Sequence, residues 1–91
     1  MMQRKHIQVF GTVQGVGFRH HTELIAKKLD IFGTVQNVED YVDIYAQGDE
    51  EKIKSFIDKV IAGASPASSV SDYSIEDLDT TNRYSEFKTI Y

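Results

Sequence analysis

Ninety-one residues suffice for one domain and leave no room for a second, so residues 1–91 are read as a single unit. Hydrophobic residues make up 41% and charged residues 26%, enough for one thin core and against a disordered chain. The net charge of -4 disfavours nonspecific binding to nucleic acid or anionic membranes, and the absence of cysteine excludes a disulfide, a thiolate nucleophile and a Cys-ligated metal.

The opening residues Met1 to His6 run straight into alternating residues and lack the apolar stretch of a signal peptide. No segment approaches transmembrane length, and a chain without cysteine tolerates a reducing compartment; the expected location is the cytoplasm. Lys5 to Thr12 reads as a strand, with Ile7 and Val9 alternating with Gln8 and Gly11 near its end. Val13 to Phe18, which holds Gly15 and Gly17, reads as a loop. Arg19 to about Asp30 reads as a helix, in which Thr22, Ile25, Ala26 and Leu29 recur at helical spacing and Lys27 and Lys28 suit the C-terminal end. Gly33 to Val38 and Tyr41 to Gln47 form a predicted hairpin around Glu39 and Asp40, after which Gly48 and Asp49 are expected to break the strand. A second helix follows, with acids in its first turn and Ile53, Phe56, Ile57, Val60 and Ile61 as its apolar stripe; Gly63 to Pro66 ends it. Val70 to about Asp79 reads as a polar edge strand with a bulge or early end near Leu78. Tyr84 to Tyr91 is a short last strand. The order βαββαβ plus a C-terminal strand points to an α+β, ferredoxin-like α/β sandwich, with two helices on one face of a mostly antiparallel sheet.

Charge is uneven along the chain. Residues 1–28 carry Arg4, Lys5, Arg19, Lys27 and Lys28 against Glu23 alone, whereas residues 29–91 carry five cations and thirteen acids. The first third is therefore where an anion site is expected. Within it, Gly11-Thr12-Val13-Gln14-Gly15-Val16-Gly17-Phe18-Arg19 joins a strand to a helix start. Glycines allow successive N–H groups to turn inward, a helix start adds unpaired donors and partial positive charge, and Arg19 adds a planar charged fork. These are the parts of an oxyanion cradle; the plain alternative is a tight connection whose glycines serve only geometry. The dinucleotide pattern G-x-G-x-x-G is absent, and Gly17-Phe18-Arg19 stands where a nucleoside-triphosphate loop needs Gly-Lys-Ser/Thr.

The run Val9 to Arg19 resembles the first signature of the acylphosphatases, and Gly33-Thr34-Val35-Gln36-Asn37 resembles the second. The likeness continues through Tyr45-Ala46-Gln47-Gly48 and Ala64-Ser65-Pro66 to Tyr84-Ser85-Glu86-Phe87, essentially the whole chain. The resemblance implies a ferredoxin-like sandwich that hydrolyses acyl phosphates to a carboxylate and inorganic phosphate. It implies that the backbone amides of Gly15, Val16, Gly17, Phe18 and Arg19 bind the phosphoryl oxygens, that Arg19 is the substrate-binding catalytic arginine, and that Asn37 positions the attacking water. The chain departs from the family at Thr34, where an aromatic residue is common, and at the turn after Asn37, which lacks glycine and is one residue shorter.

A carboxylate leaves readily, so little acid catalysis is needed, and the task is to hold charge on three equatorial oxygens and align a nucleophile. A cysteine phosphatase loop carries its nucleophile six residues before its arginine, and that position is Val13. The expected reaction therefore runs without a phosphoenzyme through that loop and by direct attack of water, unless another side chain serves. No cofactor is expected, and three histidines without a compact ligand pattern do not make a metal site. His20 and His21 adjoin Arg19 and are candidate bases, but the chemistry requires none, and they are read as surface or partly packed residues, as is His6. Asp40 and Asp43 are read as solvated hairpin carboxylates and not as Mg²⁺ ligands. Phe10 and Tyr45 are expected on the open sheet face as a shielding patch, not as a platform for RNA bases. Phe18 is expected to anchor the loop in the core. The expected partner is a small acyl phosphate or inorganic phosphate, with no nucleic acid or membrane, and the chain is read as a monomer. A non-catalytic anion-binding module on the same sandwich is the alternative, although such a module has no use for Asn37.

Overall fold

A computed structural model describes every residue from Met1 to Tyr91. The elements run β1 (Met2–Thr12), α1 (Phe18–Lys28), β2 (Phe32–Val38), β3 (Tyr41–Asp49), α2 (Glu50–Ile61), β4 (Ser69–Leu78) and β5 (Phe87–Ile90). The sheet order is β4-β1-β3-β2-β5, with every neighbouring pair antiparallel except β2 with β5. Alternation decides the layers. Ile7 and Val9 of β1, Val35 of β2 and Val42 and Ile44 of β3 are fully buried, and they meet Phe18 and Ala26 of α1 and Ile53, Phe56 and Val60 of α2 in one core. α1 lies over β2 and β5, and α2 lies over β3 and β1. This is the ferredoxin-like arrangement expected.

Tertiary pairing moves several boundaries. β1 starts at Met2 and not Lys5, because Met2 and Gln3 pair with Asp49 and Gly48. Gly48 therefore continues β3 and does not break it; a Cβ there would lie 2.6 Å from Ile31 Cδ1, so glycine serves a close approach. The bulge lies at the opposite end of β4 from Leu78. The register runs Phe10 with Asp72 and then Gly11 with Val70, which leaves Ser71 as the extra residue. Gly11 sits there at φ 128, and a Cβ would be 2.3 Å from the Ser69 carbonyl. The last strand begins at Phe87, later than Tyr84. Tyr84 is drawn to the open face, where Arg4 Nε donates to its hydroxyl at 3.1 Å, and Gln47 ties the preceding loop by exchanging hydrogen bonds of 2.7 and 2.8 Å with the Thr81 backbone.

The open face carries a polar and aromatic layer. The His6 ring stacks on Tyr45 at 4.3 Å, Arg4 lies 5.5 Å from the Tyr45 centroid and 5.6 Å from that of Tyr84, and Phe10 packs on Tyr41. Asp43 is not a solvated carboxylate: only 16% of its side chain is exposed, and Oδ1 lies 2.5 Å from His6 Nε2. Desolvation raises the Tyr41 phenol above its ordinary value, reinforced by Asp43 and the acids of the turn.

Candidate active site

The connection from β1 to α1 does what its glycines permit. Gly15 and Gly17 take φ 75 and φ 76, the left-handed region in which a Cβ is costly. Gly17 is the N-cap of α1 and supplies no side-chain cap. The backbone N–H groups from Gly15 to Arg19 have no backbone carbonyl to donate to. The first turn of α1 holds no acid, while Lys27 and Lys28 occupy the last, so the positive end of the helix dipole is not offset where the loop enters. Phe18 is 1% exposed and fixes this loop to the core, as expected.

A hollow of about 140 Å³ opens beside the loop, lined by Val13, Gly15, Gly17, Phe18, Arg19, His20, Thr89 and Tyr91. That exceeds the roughly 10–15 Å³ of such space that one water needs. A larger groove of about 600 Å³ lies between β1 and α2, but it is lined by charges of both signs with no turned-in backbone. Chemistry and not size favours the smaller hollow.

Three contacts from distant parts of the chain hold the loop. Gln14 Nε2 donates to the carbonyls of Glu39 and Tyr41, both at 3.0 Å, and so ties the loop to the β2–β3 turn. That turn lacks glycine, and Glu39 itself takes φ 54. Arg19 Nη1 donates to the Ile90 carbonyl at 3.5 Å, and the Tyr91 ring lies 5.0 Å from the guanidinium. Glu23 Oε1 accepts from Thr89 N at 2.9 Å and Thr89 Oγ1 at 2.8 Å, which pins the end of β5 to α1. The Thr89 hydroxyl lowers the Glu23 pKa against the opposing effect of burial, with help from Lys27.

Asn37 follows Gln36, whose ladder partner on β5 is Ile90, the residue that accepts from Arg19. Arg19 and Asn37 thus converge on one end of the sheet through β5, although Asn37 does not line the hollow. Asn37 lies two residues after buried Val35, so it points to the helix-covered face. Its Oδ1 is buried and has no hydrogen-bond partner in the protein. His20 borders the hollow, and His21 Nδ1 lies 2.9 Å from the Gly17 carbonyl.

The cationic first third does not gather. Lys5 pairs with Asp77, Arg4 is committed to the open face, Lys27 pairs with Glu23 and Lys28 is exposed at the far end of α1; only Arg19 reaches the loop. Sequence separation carries no information on spatial clustering: three of the five charges find other partners, and Lys28 stays exposed away from the loop. Sequence reasoning also passes over Gln14, Glu23, Thr89 and Tyr91. Glu23 leaves a trace as the only acid among the first 28 residues. Thr89 and Tyr91 leave none, because they arrive from the other end of the chain.

The chain is a two-layer α+β sandwich in which a glycine turn opens onto an arginine at a helix start. The acylphosphatase family model matches residues 5–89. An acylphosphatase of Staphylococcus haemolyticus (strain JCSC1435) is 55% identical over 89 residues, covering 98% of this chain and all of that protein. The crystal structure of acylphosphatase from Bacillus subtilis covers both chains fully at 37% identity, with a TM-score of 0.92. Full-length HypF, in a phosphate- and nucleotide-bound form, matches the whole of this chain with 12% of its own at 30% identity and a TM-score of 0.91. The chain belongs to the acylphosphatase family, and it is an enzyme of the hydrolase class. No helix is long and apolar enough to cross a membrane.

Proposed function

We propose that this chain hydrolyses the carboxyl–phosphate bond of small acyl phosphates by direct attack of one oriented water. The amides of Gly15, Val16, Gly17, Phe18 and Arg19, with the Arg19 guanidinium, hold the phosphoryl oxygens. Asn37 Oδ1 accepts a hydrogen bond from the water and turns its lone pair towards phosphorus. The water oxygen bonds to phosphorus as the bond to the acyl oxygen breaks. The electron pair leaves with the carboxylate, and the water proton passes to a phosphoryl oxygen. The reaction therefore needs no protein base, phosphoenzyme, metal or other cofactor. The observation that carries this reading is the run of uncommitted amides between two left-handed glycines and Arg19. The unpartnered Asn37 oxygen distinguishes it from simple anion binding.

The same reading has a monomer acting on a small molecule in the cytoplasm, with no nucleic acid or membrane partner. The test is hydrolysis of acetyl and benzoyl phosphate by wild type, Arg19→Ala and Asn37→Ala, each with and without chelator. Arg19→Ala is expected to lose both binding and rate, and Asn37→Ala mainly rate. Wild-type inertness favours the binding module. Loss of activity in chelator refutes metal independence, and an essential group of His-like pKa in the pH–rate profile refutes the base-free route.

A further inference from the structure

His21 stands four residues after Gly17, and its backbone N–H donates to the Gly17 carbonyl at 3.1 Å. Its ring nitrogen Nδ1 lies 2.9 Å from the same oxygen. A carbonyl only accepts, so Nδ1 must carry a proton, and the neutral ring is the Nδ1–H tautomer. The ring also covers the glycine: a Cβ at Gly17 would lie 3.5 Å from Nδ1 and 3.7 Å from Cε1. Two donors from one residue therefore converge on one carbonyl, at the only left-handed residue that opens a helix here.

The Gly17 carbonyl and the Phe18 N–H are the two ends of one peptide unit. Hydrogen bonds accepted by the oxygen draw electron density towards it and leave the N–H a stronger donor. They also hold the peptide plane, which fixes where the N–H points. We propose that His21 is a positioning residue for the phosphate loop, locking the Gly17–Phe18 peptide and strengthening the Phe18 N–H towards an anion. This role rests on the amide cradle described under the proposed function. It differs from that of a general base, because Nδ1 is committed as a donor and touches no reacting atom.

The experiment compares wild type with His21→Phe, His21→Gln and His21→Asn. Orthophosphate is titrated by ¹H–¹⁵N NMR and used as an inhibitor of benzoyl phosphate hydrolysis. The Asn side-chain nitrogen takes the place of Nδ1, the Gln nitrogen takes that of Nε2, and Phe keeps the bulk of the ring without a donor. His21→Phe and His21→Gln are expected to weaken orthophosphate binding about threefold and to lower kcat/KM at least as much. His21→Asn is expected to restore both. Imidazole ¹⁵N shifts should place a proton on Nδ1 at neutral pH, and the Phe18 amide proton should move upfield in His21→Phe. Wild-type affinity in His21→Phe with an unmoved Phe18 amide overturns the role, as does an unprotonated Nδ1. Wild-type protein that neither binds orthophosphate nor shifts its loop amides overturns the cradle itself, and the role of His21 with it. Orthophosphate binding that depends on Arg19 but is indifferent to His21 overturns the role alone.

Discussion

Replacing Asn37 by alanine is expected to make the enzyme slower and the fold more stable. Oδ1 of Asn37 is a buried acceptor with no partner in the protein. Such an atom costs about 1–3 kcal/mol of desolvation that no hydrogen bond recovers. Alanine removes that cost. Because Asn37 is only half-buried, the lost packing is smaller than for a core residue and offsets part of the gain. A net gain of about 1 kcal/mol raises Tm by roughly 4–8 °C in a domain of this size. The rate moves the other way: losing one preorganised contact at the reacting centre costs on the order of 3 kcal/mol, about a hundredfold in kcat. KM should stay within about threefold, because phosphate binding is assigned to Arg19 and the loop amides. Benzoyl phosphate hydrolysis at saturation and thermal unfolding by circular dichroism read the two quantities. If Tm and kcat fall together, Asn37 is a structural residue. If kcat holds, something else orients the water.

Glu23→Gln keeps an acceptor for Thr89 but cannot ionise. The carboxylate pKa lies below its ordinary value, chiefly because the Thr89 hydroxyl donates to it, so its contribution is full above the ordinary carboxylate range and lost as pH falls through the folded pKa. The wild type's advantage over Glu23→Gln in urea unfolding should therefore hold at neutral pH and vanish in acid; an advantage that grows in acid contradicts the linkage. Gly33→Ala would place Cβ 1.8 Å from the Tyr45 carbonyl at a residue with φ 145, and is expected to cost ~4 kcal/mol or more. A near-native Tm would show that the β2–β3 contact can relax. Gln14→Ala frees the loop from the β2–β3 turn and is expected to raise KM severalfold while destabilising the fold by about 1–2 kcal/mol. Unchanged KM in steady-state kinetics would mean the glycine loop holds its shape without that tie.

The fold is legible because local and tertiary preferences agree. The period-2 pattern of Ile7 and Val9 and the helical spacing of Ile53, Phe56 and Val60 each predict the buried face found. Disagreement arises where a partner strand decides. Gly48 reads as a breaker until β1 is seen to extend to Met2 and pair with it, and the bulge opposite Phe10 and Gly11 depends on the register of two strands. The site divides in the same way. Its loop, Arg19 and Asn37 are legible from the motifs. Its supports are contacts of long sequence separation, namely Gln14 to the β2–β3 turn, Glu23 to Thr89 and Arg19 to Ile90 and Tyr91. No local pattern records such pairs.

On the proposed function, those supports are what lets an acidic chain hold an anion. With a net charge of -4, it cannot draw a phosphate by its overall field. A cluster of lysines would supply attraction, but mobile ammonium groups reorganise as charge shifts along the reaction path. Here the donors are fixed before substrate arrives. Backbone amides are held by the glycine conformations and the helix start, and the guanidinium is steadied by one long hydrogen bond to Ile90 and the face of Tyr91. A guanidinium has five N–H donors, so most of the fork remains for the anion. On the proposed function, fixed dipoles with a single full charge would stabilise the spread charge of the phosphoryl group without binding the released phosphate as tightly as a polycationic site would. On that reading, transition-state stabilisation rests on local geometry and not on the chain's overall charge.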